Sequence, residues 1–139
     1  MTIDARLPSD VELVPGAIKG WLKQLGPLKL NEDAVFGLQL CLQEALINAI
    51  RHGHQDNKAL TVHCSIVADP QQIMIEVADQ GKGFDVNAVP DPTAAENIGK
   101  GHGRGIYLIR QTMDEVAFLN GGRTIRMVMK LKGGRTGGH

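Results

Sequence analysis

Only two cysteines occur in 139 residues, Cys41 and Cys64. They stand far apart in apolar-patterned stretches, which excludes a paired zinc or redox motif and reads as buried free thiols of a reducing compartment. His54, His63 and His102 show no ligand spacing, so a metal site built from them is excluded as well. Net charge is missing too. Fifteen Lys and Arg balance fifteen Asp and Glu, so the basic footprint of a nucleic-acid binder is absent. No window approaches the roughly 18 apolar residues of a membrane helix, and Met1 to Asp10 lacks the apolar core of a signal peptide. The expectation is a cytoplasmic protein with no nucleic-acid or membrane partner. Aromatics amount to 4%, and Trp21 and Phe118 sit at core-compatible positions.

What is present suits one domain. Hydrophobic residues make up 42% and charged residues 22%, ordinary for a globular chain of a length that can bury its own core. Residues 1–132 are expected to form that domain, and the glycine-rich 133–139 a disordered tail. Ile3, Ala5 and Leu7 alternate with polar residues up to Pro8, as in a strand. Ser9 and Asp10 are capping residues, and Ile18, Trp21, Leu22 and Leu25 then recur at helical spacing until Gly26-Pro27. Pro15 must lie near the start of that helix.

Asn31 caps a long helix with Glu32 and Asp33 in its first turn, Val35, Leu38, Leu42, Ala45, Leu46 and Ala49 as its apolar stripe, and Gly53 as its stop. Val62, Cys64 and Ile66, then Ile73, Ile75 and Val77, alternate on either side of Asp69-Pro70 as a hairpin. Val116 to Leu119 and Thr124 to Lys132 flank the turn signal Asn120-Gly121-Gly122 as another. Asp85 to Gly103 reads as an irregular loop of the length that usually carries function, and Gly105 to Met113 as a short helix. Such a pattern implies an α+β two-layer sandwich.

Three stretches could carry chemistry. On the long helix, Glu44 and Asn48 are four residues apart and share a face, flanked by small Ala45 and Ala49 that admit a sheet or ligand at close range. Asp79-Gln80-Gly81-Lys82-Gly83 follows a strand, where alternate glycines let backbone approach a ligand. Gly99-Lys100-Gly101-His102-Gly103-Arg104-Gly105 runs toward a helix N-terminus, an anion site in outline, although its spacing matches neither the P-loop nor the dinucleotide fingerprint. His52 fits a helix C-terminal position, where it favours the dipole.

In that order the stretches resemble the GHKL (Bergerat) ATPase superfamily. Glu44 to Gly53 is similar to its asparagine box, Asp79 to Gly83 to its first glycine box, Gly101 to Gly105 to its second, and Gly122-Arg123-Thr124-Ile125 to its threonine position. EALINAIRHGH, DQGKGFD and GRGIYLIRQTMDEV further resemble the bacterial anti-sigma-factor serine/threonine kinases. The resemblance implies a mixed, mainly antiparallel sheet covered on one face by helices. It implies Mg²⁺ on Asn48, the adenine amino group on Asp79, the base held through a water by Thr124, and His52 within the nucleotide box. Gly81 and Gly83 would floor the site, and Gly101, Gly103 and Gly105 would close over the phosphates of ATP. Lys100 and Arg104 are the two candidates for a lid cation.

Glu44 would accept the proton of a serine or threonine hydroxyl. The partners implied are a STAS-type anti-anti-sigma factor as substrate and a sigma factor, in stress-response signalling, with homodimerisation common in the resembled family. The competing reading is a nucleotide-sensing regulatory module of the same fold with little or no kinase activity, and a related one is a kinase acting on a signalling-complex scaffold.

Overall fold

The computed structural model describes residues 1–53, 59–80 and 101–131. Among them the elements run β1 (Thr2–Pro8), α1 (Val14–Gln24), α2 (Glu32–Asn48), β2 (Thr61–Ala68), β3 (Gln72–Ala78), α3 (Gly101–Thr112), β4 (Glu115–Leu119) and β5 (Thr124–Lys130). The strands form one sheet in the order β1-β2-β3-β5-β4, with every pairing antiparallel. The expected sandwich is therefore present, with a fully antiparallel sheet.

Alternation decides which face the helices cover. The register lines up Ile3, Ile66, Ile75, Met127 and Val116 in one row across all five strands. The first four of these are buried and Val116 packs against them in the core. Each such side chain withdrawn from water contributes about 1.5–3 kcal/mol. The other face carries charge. Arg126 Nε donates to Glu76 Oε2 at 2.7 Å, and His63 Nε2 meets Asp4 Oδ1 at 2.6 Å; such half-exposed pairs are worth at most about 1 kcal/mol.

Helix α1 begins after a 3-10 turn capped by Asp10, whose carboxylate accepts the Glu12 N–H at 3.0 Å, and it holds Pro15 in its first turn. Ile18, Trp21 and Leu25 are buried, and Leu22 packs against them. In α2 the Asn31 side-chain oxygen accepts the Ala34 N–H at 2.8 Å. Its buried face is wider than the expected stripe, taking in Ala34, Gly37 and Cys41, while Val35 is half-buried. The reason is tertiary: α2 packs between α1 and α3 as well as on the sheet. The described helical run reaches Gly53 as a π turn over Ala49–Gly53. Inserted turns of this kind concentrate at functional sites.

One boundary differs. The sequence predicts a loop to Gly103, whereas Gly101 already lies in α3. Glycine disfavours helix by about 1 kcal/mol per residue, and close packing of α3 on α2 overrides that propensity. The β5 ladder ends at Lys130, after which the Leu131 N–H donates to Gln71 O at 2.8 Å. The expected tail 133–139 and most of the expected loop lie outside the described residues.

Candidate functional site

The site is organised by the contact of α2 with α3. Gly37 of α2 lies against Thr112 of α3, and two turns on, Glu44 lies against Gly105, so the helices run antiparallel. At the far end, the Thr112 hydroxyl donates to Leu108 O at 2.8 Å. Cys41 sits between the two glycine contacts, and its thiol is pushed up from 9.0 to about 11, chiefly by burial; a hydrogen bond with Thr112 pulls the other way and the negative charge of Glu44 adds to the rise. Cys64, inside the sheet, rises to about 12, again chiefly by burial and then by the charge of Asp4. Both cysteines are free and buried, as the sequence implies.

Asn48 follows Glu44 by one turn, at the join between α2 and the π turn. Its side-chain oxygen is buried and has no hydrogen-bond partner among the described residues. Leaving such an atom unpaired costs about 1–3 kcal/mol, so its presence in a folded chain calls for an explanation.

A second part of the site lies at the end of the sheet. Asp79 follows β3, is half-buried, and donates its backbone N–H to Arg123 O at 2.8 Å. Thr124, 5% exposed, is the cross-strand partner of Ala78. Its hydroxyl oxygen accepts from Asn120 Nδ2 at 3.1 Å. Asn120, Gly121 and Gly122 all take positive φ, of 55°, 68° and 89°, a run that explains two consecutive glycines. The sheet thus brings Asp79 and Thr124 to one end, although 44 positions separate Asp79 from Arg123.

Other expected site residues fall differently. Gly101, Gly103 and Arg104 lie in the opening turns of α3, and His52 lies in the π turn. Gly81, Gly83 and Lys100 are outside the described residues. Sequence reasoning passed over Gly37 and Thr112, which line the helix contact, read Cys41 there only as a buried thiol, and treated Asn120 only as a turn residue. An isolated glycine inside so periodic a helix is the signal that could have flagged Gly37. Among the described residues no group of three His, Cys, Asp or Glu is placed to hold a metal, and no helix is long and apolar enough to cross a membrane.

Helices covering one face of an antiparallel sheet, with a Glu and Asn helix set against a glycine-bearing one, define an ATPase domain of the GHKL class. The family model described as histidine kinase-like ATPase domain matches residues 7–129, and the chain belongs to that family. ATP binding goes with it. Among curated proteins the chain is similar to the serine-protein kinase RsbW of Staphylococcus epidermidis, at 29% identity over 142 residues covering 94% of this chain and 87% of that one. It is likewise similar to RsbW of Bacillus subtilis, at 28% identity over 96% of this chain and 88% of the relative. A solved structure of the RsbU and RsbW domains of Rv1364c from Mycobacterium tuberculosis shares the fold, with a TM-score of 0.59 at 12% identity, covering 94% of this chain and 31% of that longer one.

Proposed function

We propose that the protein is an ATP-dependent serine/threonine protein kinase that acts as an anti-sigma factor. It binds ATP with Mg²⁺, phosphorylates a STAS-type anti-anti-sigma factor, and sequesters a sigma factor. The observation that carries this reading is the pair on α2, the Glu44 carboxylate resting on α3 and, one turn on, the orphaned Asn48 oxygen. The names of the relatives support a serine acceptor.

A buried amide oxygen without a partner is the hard donor that Mg²⁺ accepts as one of few protein ligands, so the residues present fit the ion. Asn48 would hold it, and the ion supplies charge neutralisation at the phosphates. Asp79 receives the adenine amino group, and Thr124 keeps its hydroxyl proton to offer a water beside the base. The floor role that the resemblance gives Gly81 and Gly83, and the cation role of Lys100, fall outside the described residues; Gly101 and Gly103 would come over the phosphates, with Arg104 the other candidate cation. Glu44 takes the proton from the acceptor hydroxyl as its oxygen bonds to the γ-phosphorus; the bond from that phosphorus to the bridging oxygen breaks and ADP leaves. Such transfer depends mostly on positioning and charge stabilisation, which one base and a metal can supply.

The test is transfer of labelled γ-phosphate from ATP to a STAS-domain antagonist by wild type and Glu44→Gln. Loss of a general base is expected to lower the rate by about a hundredfold or more, with ATP affinity held within a few fold. A variant that transfers at the wild-type rate removes Glu44 from the chemistry.

A further inference from the structure

Gly105 is where α3 comes nearest the base. A Cβ built on it would stand 2.8 Å from Glu44 Oε2, with Glu44 Cβ and Cδ at 3.8 Å. The first distance is shorter than real side chains tolerate, so the carboxylate occupies the space a residue at 105 would otherwise fill. Backbone conformation does not explain the glycine. Position 105 lies within α3, and the positive-φ glycines among the described residues are Gly121 and Gly122. A helical position would favour alanine by about a factor of five. What a side chain at 105 would meet is the carboxylate, whose flexible end would have to shift. The same helix pair closes at its other end on Gly37, which touches Thr112 Cγ2 at 3.0 Å and Met129 Cε at 3.2 Å when given a Cβ. Two bare positions therefore set how near α3 lies to α2, and one of them faces Glu44.

We propose that Gly105 is a positioning residue for Glu44: the uncovered α3 backbone is the stop against which the carboxylate rests, and it fixes where the proton acceptor stands. The inference rests on the kinase reading and assigns Gly105 a task other than closing over phosphates. Because the stop belongs to the helix that carries Gly101 and Gly103, a displacement of the N-terminal half of α3 moves the resting place of the base with it.

The test is a cycle of Gly105→Ala, Glu44→Asp and the double variant, read by single-turnover phosphate transfer at saturating ATP and by affinity for a non-hydrolysable ATP analogue. Gly105→Ala folds, since the atom it meets is the far end of a flexible side chain and alanine suits a helix. With Glu44 present, Gly105→Ala is expected to slow transfer by about tenfold or more, while analogue affinity changes by less than about threefold. In the Glu44→Asp background the carboxylate is withdrawn by about one C–C bond, roughly 1.5 Å, and the same change costs less than about twofold. This non-additivity is the signature of a direct contact. Equal losses in both backgrounds, no loss beside Glu44, or a fall in affinity that matches the fall in rate would overturn the assignment. If wild type transfers no phosphate, the kinase reading fails instead. The contact is then read from thermal midpoints: Gly105→Ala should raise the midpoint less beside Glu44 than beside Glu44→Ala, and equal rises overturn it.

Discussion

Two glycines inside helices are expected to answer the same substitution with opposite sign. Gly→Ala in a helix interior gains about 0.5–1 kcal/mol, because alanine has less backbone freedom to lose. At Gly20, exposed on α1, an added Cβ meets no atom within 4 Å, so Gly20→Ala should stabilise by that amount. At Gly37 the new Cβ would lie 3.0 Å from Thr112 Cγ2 and 3.2 Å from Met129 Cε. Met129 is buried in the core, and Thr112 is held by its 2.8 Å hydrogen bond to Leu108 O. Turning Thr112 aside gives up a hydrogen bond worth about 1 kcal/mol, and leaving it in place overpacks the contact by about 1–3 kcal/mol. Set against the helix gain, Gly37→Ala should destabilise by about 0.5–2 kcal/mol. Urea unfolding with a shared slope measures both variants. Adding Thr112→Ser, which removes Cγ2 and keeps the hydroxyl, should recover part of the loss. A Gly37→Ala protein that is stabilised as much as Gly20→Ala would refute the close packing of α2 on α3.

Asn48→Leu should abolish Mg²⁺-dependent ATP binding in calorimetry and at the same time leave the fold unchanged or stabilise it by about 1 kcal/mol, because it removes a buried oxygen that has no partner among the described residues; a less stable protein with wild-type affinity contradicts the account. The cysteines predict alkaline sensitivity. Burial raises Cys41 from 9.0 to about 11 and Cys64 to about 12, so the folded chain keeps protons that the unfolded chain has released. Stability from this source is intact below about pH 9 and falls as pH rises toward those values, by about 2–3 kcal/mol for the pair at pH 10. Urea midpoints near pH 8 and pH 10 should fall less in Cys41→Ala/Cys64→Ala than in wild type, and equal falls would remove the thiols as the cause.

What was legible in the sequence was local. The start of α2 depends on Asn31, Glu32 and Asp33, all within one turn, and the cap forms as the residues dictate. Strand faces follow from alternation, and the buried Ile66, Ile75 and Met127 are where the period of two puts them. Less legible were features produced by distant segments meeting. Gly101 and Gly103 carry weak helix propensity, and nothing near them in sequence announces that α3 packs on α2. The adjacency of β3 and β5, which brings Asp79 to Arg123 and Thr124, is made by elements inserted between them in the chain. The motif positions of Glu44, Asn48, Asp79 and Thr124 could be read; the Gly105 contact and the unpaired Asn48 oxygen required the fold.

The distinction between a kinase and a nucleotide-sensing module therefore falls on different residues of one helix. The roles proposed for Asn48 as metal acceptor and Asp79 at the sheet end would serve either function, since both bind nucleotide. On the kinase reading the carboxylate takes up the space a side chain at 105 would need, whereas a solvated glutamate would tolerate alanine there without consequence. Glu44 is half-buried, and its Oε2 lies 2.8 Å from where that alanine's Cβ would stand. Replacing Asp79 by Asn should abolish ATP binding under both readings, whereas Gly105→Ala should slow transfer and spare binding only if Glu44 is the base. The two substitutions separate nucleotide recognition from phosphate transfer, because one acts at the end of the sheet and the other at the crossing of α2 and α3.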